Sequence, residues 1–384
     1  MPSMPEIFNG QEAPGGSRWD LPSAWGFFVV AFLAFTATAR AAEPPKLPAE
    51  AAEPQVVEFL AKAGSGADAY AAHIAMKAWL SRHPSPSAGV LLAAADTAAA
   101  AGDLQGAAAL YKRHIAAAPA DEARSKVAAR LYEILIGRLQ SNDDAYSFFA
   151  RGGLDLRQSL AARKFDGWFL DQAVARRDAV TAAKILAAVM ADKLPLELER
   201  NLYWEQLDFT MGELARGRPE QFEALPAAKQ IVGLVRESPA RAARYAFITS
   251  WLEFQAASAG KDAAAQAAAF APVAAAATAY VDAAPTAAVL DDVLNVFVCG
   301  TNSHQPWQSL GGPITALWTA SFAKLPDDEK AKAINWQGWW NQQATPDQWV
   351  ELGAQFPAVF QKAVATRGLP LLVNKPDPAV FAKQ

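Results

Sequence analysis

The chain has 384 residues, 52% of them hydrophobic and 19% charged. This balance provides a large apolar core and excludes global disorder. The net charge of -4 gives no basic surface of the kind that binds nucleic acid, so we expect no nucleic-acid partner. The single cysteine, Cys299, excludes an internal disulfide bond.

The first predicted element is an export signal. Residues Ala24–Ala39 form an uncharged apolar run that is short for a membrane span. Small residues follow in the spacing that signal peptidase cleaves, ending at Ala39 or Ala41. The region before the run is long and has little positive charge besides Arg18. We expect residues 1–41 to be a cleaved signal. The alternative is an uncleaved inner-membrane anchor, and only in that case do we expect a membrane contact, through this segment alone.

The remaining chain is predicted to be helical. Val127, Leu131, Ile134 and Leu135 fall at the spacing of one helix face. The segment around Phe247 and Trp251 is apolar over a wide arc, as in a central helix. Prolines stand near predicted helix starts, among them Pro239. The pattern predicts about fifteen helices joined by short turns, an all-α fold of stacked helical hairpins.

One segment carries the signature of a known repeat. Residues 91–121 read LLAAADTAAAAGDLQGAAALYKRHIAAAPAD. The positions that match are small residues, a turn, an aromatic residue and a terminal proline, namely Ala95, Gly102, Asp103, Ala107, Tyr111 and Pro119. A partial copy precedes them at an offset of 35 residues, in Met76, Lys77, Leu80 and Pro84. Over residues 68–140 the chain thus resembles a tetratricopeptide-repeat protein. The resemblance implies an α-solenoid scaffold that binds another protein without catalysis.

Composition divides the chain into four predicted parts. The signal segment, 1–41, is followed by a Pro/Ala-rich linker with a first helix, 42–67. An Ala-rich helical-repeat domain is expected at 68–283 and a Trp-rich helical region at 284–384.

The residues with chemical potential are few. Cys299 lies five residues before His304, but a small buried residue at a helix end explains it as well as a nucleophile does. The four histidines lack zinc-ligand spacing. Adjacent carboxylates such as Asp143 and Asp144 point in different directions from a helix. No cofactor or nucleotide motif is present, so we expect no metal and no cofactor.

A tryptophan cluster is the other candidate surface. Trp336, Trp339 and Trp340 lie at the spacing of one helix face among amide side chains, and Trp349 follows. Such aromatic residues stack on sugar rings or pack in a core.

These observations favour a non-enzymatic protein but leave an all-helical enzyme open. We expect an exported scaffold in the periplasm or cell envelope of a bacterium, binding an unidentified protein. The candidate surface residues are Tyr111, Trp336, Trp339, Trp340 and Trp349. The alternative is a periplasmic protein that binds a glycan or small ligand through the tryptophans.

Overall fold

Every regular element that the structure describes is helical. The computed structural model describes residues 46–63, 67–192, 200–236, 238–301 and 307–334. Within these residues there are seventeen α-helices and no β-strand. The predicted all-α class is therefore confirmed.

The first nine α-helices lie in the amino-terminal half of the described chain. They are α1 (Glu53–Lys62), α2 (Ala67–Leu80), α3 (Ala88–Ala100), α4 (Leu104–Ala117), α5 (Glu122–Tyr132), α6 (Asn142–Gly152), α7 (Leu160–Arg163), α8 (Asp166–Ala175) and α9 (Ala179–Ala191). A π-helical turn, Glu133–Arg138, continues α5, and a 3-10 turn, Gly153–Arg157, follows α6.

Eight more α-helices follow, the first two separated by a 3-10 turn at Pro219–Ala224. They are α10 (Arg200–Leu214), α11 (Leu225–Leu234), α12 (Pro239–Ser258), α13 (Ala263–Ala269), α14 (Ala271–Ala283), α15 (Ala287–Thr301), α16 (Trp307–Lys324) and α17 (Asp327–Ile334).

Side-chain caps set many of the helix starts. The carboxylate of Asp103 accepts from the Gly106 amide at the start of α4, and Asp178 accepts from Thr181 at the start of α9. Each such bond satisfies a backbone N–H that has no partner within the helix. Pro239 occupies the first turn of α12 behind the cap Ser238, as its position in the sequence predicts.

Left-handed backbone conformations mark five of the turns between helices. They recur about every 40 residues, at Gly102, Gln140, Arg177, Gly217 and Gly260. A left-handed residue just past a helix end satisfies its last carbonyls and reverses the chain. At Gly102 the φ angle is 84°, and the Asp103 cap follows at once. The chain therefore turns back on itself at a nearly regular interval.

Helices pack mainly on their neighbours in sequence. The most extensive pairs are α3 with α4 and α12 with α14. Among the described helices, the main packing partners lie at most three helices apart in chain order. The α3–α4 contact is lined by buried alanines, including Ala95 and Ala107. Small side chains let the two helix axes approach closely, as the sequence predicts.

One continuous core links these pairs from Ala51 to Ala333. Its stripe on α5 and the π-helical turn contains Val127, Leu131, Ile134 and Leu135, all buried as predicted. Trp251 in α12 is fully buried, with its ring centroid 5.2 Å from that of Phe297. The prediction that α12 is central is thus confirmed.

The sequence predicts contact with a membrane only for the N-terminal segment, which lies outside the described residues. No single helix of the described residues combines the length and apolar composition that a span requires. The bent pair of Ala263–Ala269 and Ala271–Ala283 meets the length and composition test only when the two helices are taken together.

Candidate functional site

Tyr111, a predicted surface residue, lies in the core. Its side chain is 3% exposed, and its hydroxyl donates to the carboxylate of Asp96 on α3 at 2.5 Å. Asp96 also accepts from Arg130 on α5 at 2.9 Å. Burial, followed by the hydrogen bond to Asp96, raises the pKa of Tyr111. Tyr111 therefore joins helices internally, and only Asp96 and Arg130 reach solvent there.

A groove opens beside this hairpin, where α4, α5, α6 and the turn after α6 meet. Its volume is about 500 Å³. The lining residues are Lys112, Ile115, Ala116, Arg124, Phe148, Arg151, Gly152 and Leu156. Ile115 and Leu156 are buried and form an apolar floor, while Phe148 is partly exposed. The groove combines an apolar floor with basic side chains.

The basic residues of the groove come from three helices. Lys112 on α4 pairs with Asp144 and lies 5.8 Å from the centroid of the Phe148 ring. Arg124 on α5 and Arg151 on α6 form no ion pair with any residue that the structure describes. The buried Nε of Arg124 also has no hydrogen-bond partner there. Among the described residues, no carboxylate pairs with either guanidinium group, and Arg151 is exposed to solvent.

A second polar cluster is buried next to the groove. Arg157, which follows the groove residue Leu156, contacts Asp166 at 2.6 Å and Asp192 at 2.5 Å. Burial is the largest influence on Asp166 and raises the pKa of its carboxyl group. The second oxygen of Asp166 and the hydroxyl of the buried Tyr132 have no hydrogen-bond partner among the described residues. This cluster ties α8 and the end of α9 to the turn that forms one wall of the groove.

The other sequence candidates are dispersed. Asp143 contacts Arg176 whereas its neighbour Asp144 contacts Lys112, so the two carboxylates point apart as predicted. The described histidines each have a local partner. His73 forms a hydrogen bond with Asp103 at 2.9 Å. His83 stacks on the indole of Trp79, and His114 forms a hydrogen bond with the carbonyl oxygen of Ala88. No group of three or more possible metal ligands occurs in the described parts of the chain.

Trp336, Trp339, Trp340 and Trp349 lie outside the described residues, as does His304. Cys299 lies in α15, one residue before Gly300. The glycan-binding alternative stays a prediction.

Comparison with known proteins finds no match to the chain among protein families, curated proteins or solved structures. The tetratricopeptide resemblance therefore also stays a prediction.

Sequence reasoning missed the groove. Lys112, Arg124 and Arg151 belong to three helices, and each one alone looks like an ordinary surface charge. Arg124 has no acidic residue four positions away in the sequence, and Asp155, four positions after Arg151, lies beyond the end of α6.

Proposed function

We propose that the chain is an exported, non-catalytic helical-repeat scaffold that binds another protein in the cell envelope of a bacterium. The observation that carries this proposal is the packing of each helix on its close neighbours in sequence. An array built in this way grows along one direction and exposes long surfaces suited to partner binding.

The finer architecture is part of the same proposal. Left-handed turns about every 40 residues support a stack of similar helical units. The intervals contain α4 and α5, then α6 to α8, then α9 and α10, then α11 and α12. This interval is longer than the 34 residues of a tetratricopeptide repeat. We therefore propose a helical-repeat scaffold without assigning the whole chain to the tetratricopeptide type. Only residues 68–140 carry the tetratricopeptide-like sequence.

Export is supported by the sequence alone. The apolar run Ala24–Ala39 and the small residues at its end have the pattern of a secretory signal. A fold without disulfide bonds is compatible with an oxidising compartment, because the core described here is built by packing.

The proposal is tested by crosslinking in intact cells. The full-length chain, tagged after Gln384, is crosslinked in its native host, purified from the envelope fraction and analysed by mass spectrometry. We expect one reproducible protein partner that is absent from an untagged control. Recovery of the tagged chain without any partner above that control contradicts the scaffold function.

A further inference from the structure

We infer that the groove lined by Lys112, Arg124, Arg151 and Phe148 binds an acidic segment of a partner protein that carries an apolar side chain between its carboxylates. This inference rests on the proposed scaffold function and names the chemistry of the partner. Three features of the groove favour such a segment: its positive charge, its apolar floor and the weakly bonded guanidinium group of Arg124.

Charge complementarity identifies an anionic partner. Arg124 and Arg151 have no carboxylate partner in the described structure, and no acidic residue lines the groove. A guanidinium group presents several N–H donors that match a carboxylate in two-pronged geometry. The groove therefore favours a segment with at least two acidic side chains.

The hydrogen bonding of Arg124 also favours a carboxylate partner. The Nε–H of Arg124 is shielded from solvent, and the hydrogen bond that its guanidinium group donates within the described structure is long, 3.5 Å from Nη1 to the carbonyl oxygen of Ala118. The rest of the Arg124 side chain is partly exposed and lines the groove, so its guanidinium group has N–H donors left for an incoming oxygen. A partner carboxylate supplies that oxygen.

The floor of the groove explains the apolar requirement. Ile115, Leu156 and Phe148 line the groove together with the basic residues of α4, α5 and α6. A segment that spans these helices passes over the apolar floor, and an apolar side chain there removes the floor from water. The cations are distributed over three helices, which favours several spaced carboxylates over the single head group of a fatty acid.

The test uses a library of random peptides displayed on phage and selected on the purified full-length chain. We expect the bound peptides to be enriched in aspartate and glutamate that flank leucine, isoleucine or phenylalanine. The most enriched peptide is then measured by fluorescence anisotropy, with rising salt expected to weaken its binding.

A matched pair of variants locates the binding. In Arg124→Gln/Arg151→Gln the dissociation constant of that peptide should rise roughly tenfold or more, because two charge-assisted contacts are lost. Arg82→Gln/Arg138→Gln removes the same charge from exposed positions outside the groove, and we expect its affinity to stay within about twofold of the parent. Glutamine at position 124 is compatible with folding because it completes a capping box with Asp121. Circular dichroism of both variants verifies the fold.

The inference is overturned by bound peptides without acidic enrichment, by no bound peptides at all, or by equal affinity of both double variants. The inference is also overturned if dodecanoate displaces the bound peptide at a lower concentration than an excess of the same unlabelled peptide does. The groove would then be a lipid site. A crosslinked envelope partner combined with any of these results leaves the scaffold function standing. Acidic selection without an envelope partner supports the groove and contradicts the scaffold function.

Discussion

Tyr245 on α12 donates its hydroxyl hydrogen to Asp208 on α10 at 2.7 Å, so that two different hairpins share one hydrogen bond. The same chemistry recurs along the array, in the pairs Tyr111–Asp96, Tyr146–Asp178 and Tyr280–Asp292. In three of the four pairs an arginine also contacts the carboxylate: Arg130 at Asp96, Arg241 and Arg244 at Asp208, and Arg244 at Asp292. These clusters hold successive helices in register at the surface of the core.

Removing one of these hydroxyls should weaken the array. Tyr245→Phe leaves the buried ring in place but deprives Asp208 of one donor, and we expect a loss of about 1 kcal/mol in the free energy of unfolding. Urea denaturation followed by circular dichroism measures it. Tyr70→Phe is the control, because Tyr70 is 59% exposed, and it should have almost no effect. Equal midpoints for the two variants would mean that the Asp208 bond contributes nothing.

High pH should unfold the protein. Burial raises the pKa of Tyr111, Tyr132, Tyr146, Tyr245 and Tyr280, and in all five a nearby carboxylate adds to the effect. A tyrosine with a raised pKa keeps its proton in the folded state when the unfolded chain has lost it, so stability falls as pH rises above about 10. We expect tyrosinate absorbance and loss of helical circular dichroism to change together. Ionisation of all five near pH 10 with the helices intact would contradict this prediction.

The turn at Gly102 is held by Asp103. This carboxylate binds Lys77 and His73 of α2 and caps α4, and its pKa is lowered to about 2, chiefly by the Lys77 bond and next by the Gly106 amide. Asp103→Ala should cost about 1–2 kcal/mol at pH 7. Asp103→Ser, which keeps the cap and loses the ion pair, should cost less.

The pH dependence of the Asp103 contribution has a defined sign. A lowered pKa stabilises the folded state above the ordinary value of 3.8, and that stability is lost as pH falls towards 2. The difference between the parent and Asp103→Ala, measured by urea denaturation, should therefore shrink between pH 4 and pH 2. A difference that is constant over this range would assign the whole effect to helix propensity.

Local and long-range features of the fold differ in how far the sequence predicts them. The Gly102–Asp103 turn and the buried stripe from Val127 to Leu135 follow from local spacing and were predicted. Tyr111 is buried, and its hydroxyl bonds to Asp96, fifteen residues away on another helix, a contact that local spacing does not encode. The groove depends on where α4, α5 and α6 end relative to one another, which periodicity within each helix does not encode.

Cleavage of the N-terminal segment can be tested at a single residue. Ala39 ends the first candidate cleavage site and begins the second, Ala39-Arg40-Ala41. Signal peptidase needs small residues at these positions, so Ala39→Tyr should block both sites and retain the precursor in the membrane fraction. The parent should yield an amino-terminal peptide that starts at Arg40 or Ala42. Mature protein that still contains residues 24–39 would contradict export by this route.

Arg157 is expected to be the most sensitive charged residue of the described core. It is 7% exposed and compensates both Asp166 and Asp192, whose charges would be left unpaired in Arg157→Met. Breaking a buried ion pair on one side costs about 3–5 kcal/mol. Arg163→Met is the matched control, since Arg163 is more exposed and its contact to Asp192 is 3.5 Å long.

The deficit of Arg157→Met should depend on pH in a defined direction. Burial raises the pKa of Asp166, and without Arg157 the carboxyl group is still less able to ionise. The folded variant then keeps a proton that the unfolded chain loses as pH rises above the ordinary value of 3.8. Its stability relative to the parent should therefore be lowest at pH 7 and recover as pH falls towards 4. Urea denaturation of both proteins across this range measures the difference. A deficit that does not change with pH would show that Arg157 contributes packing of its side chain and not charge compensation.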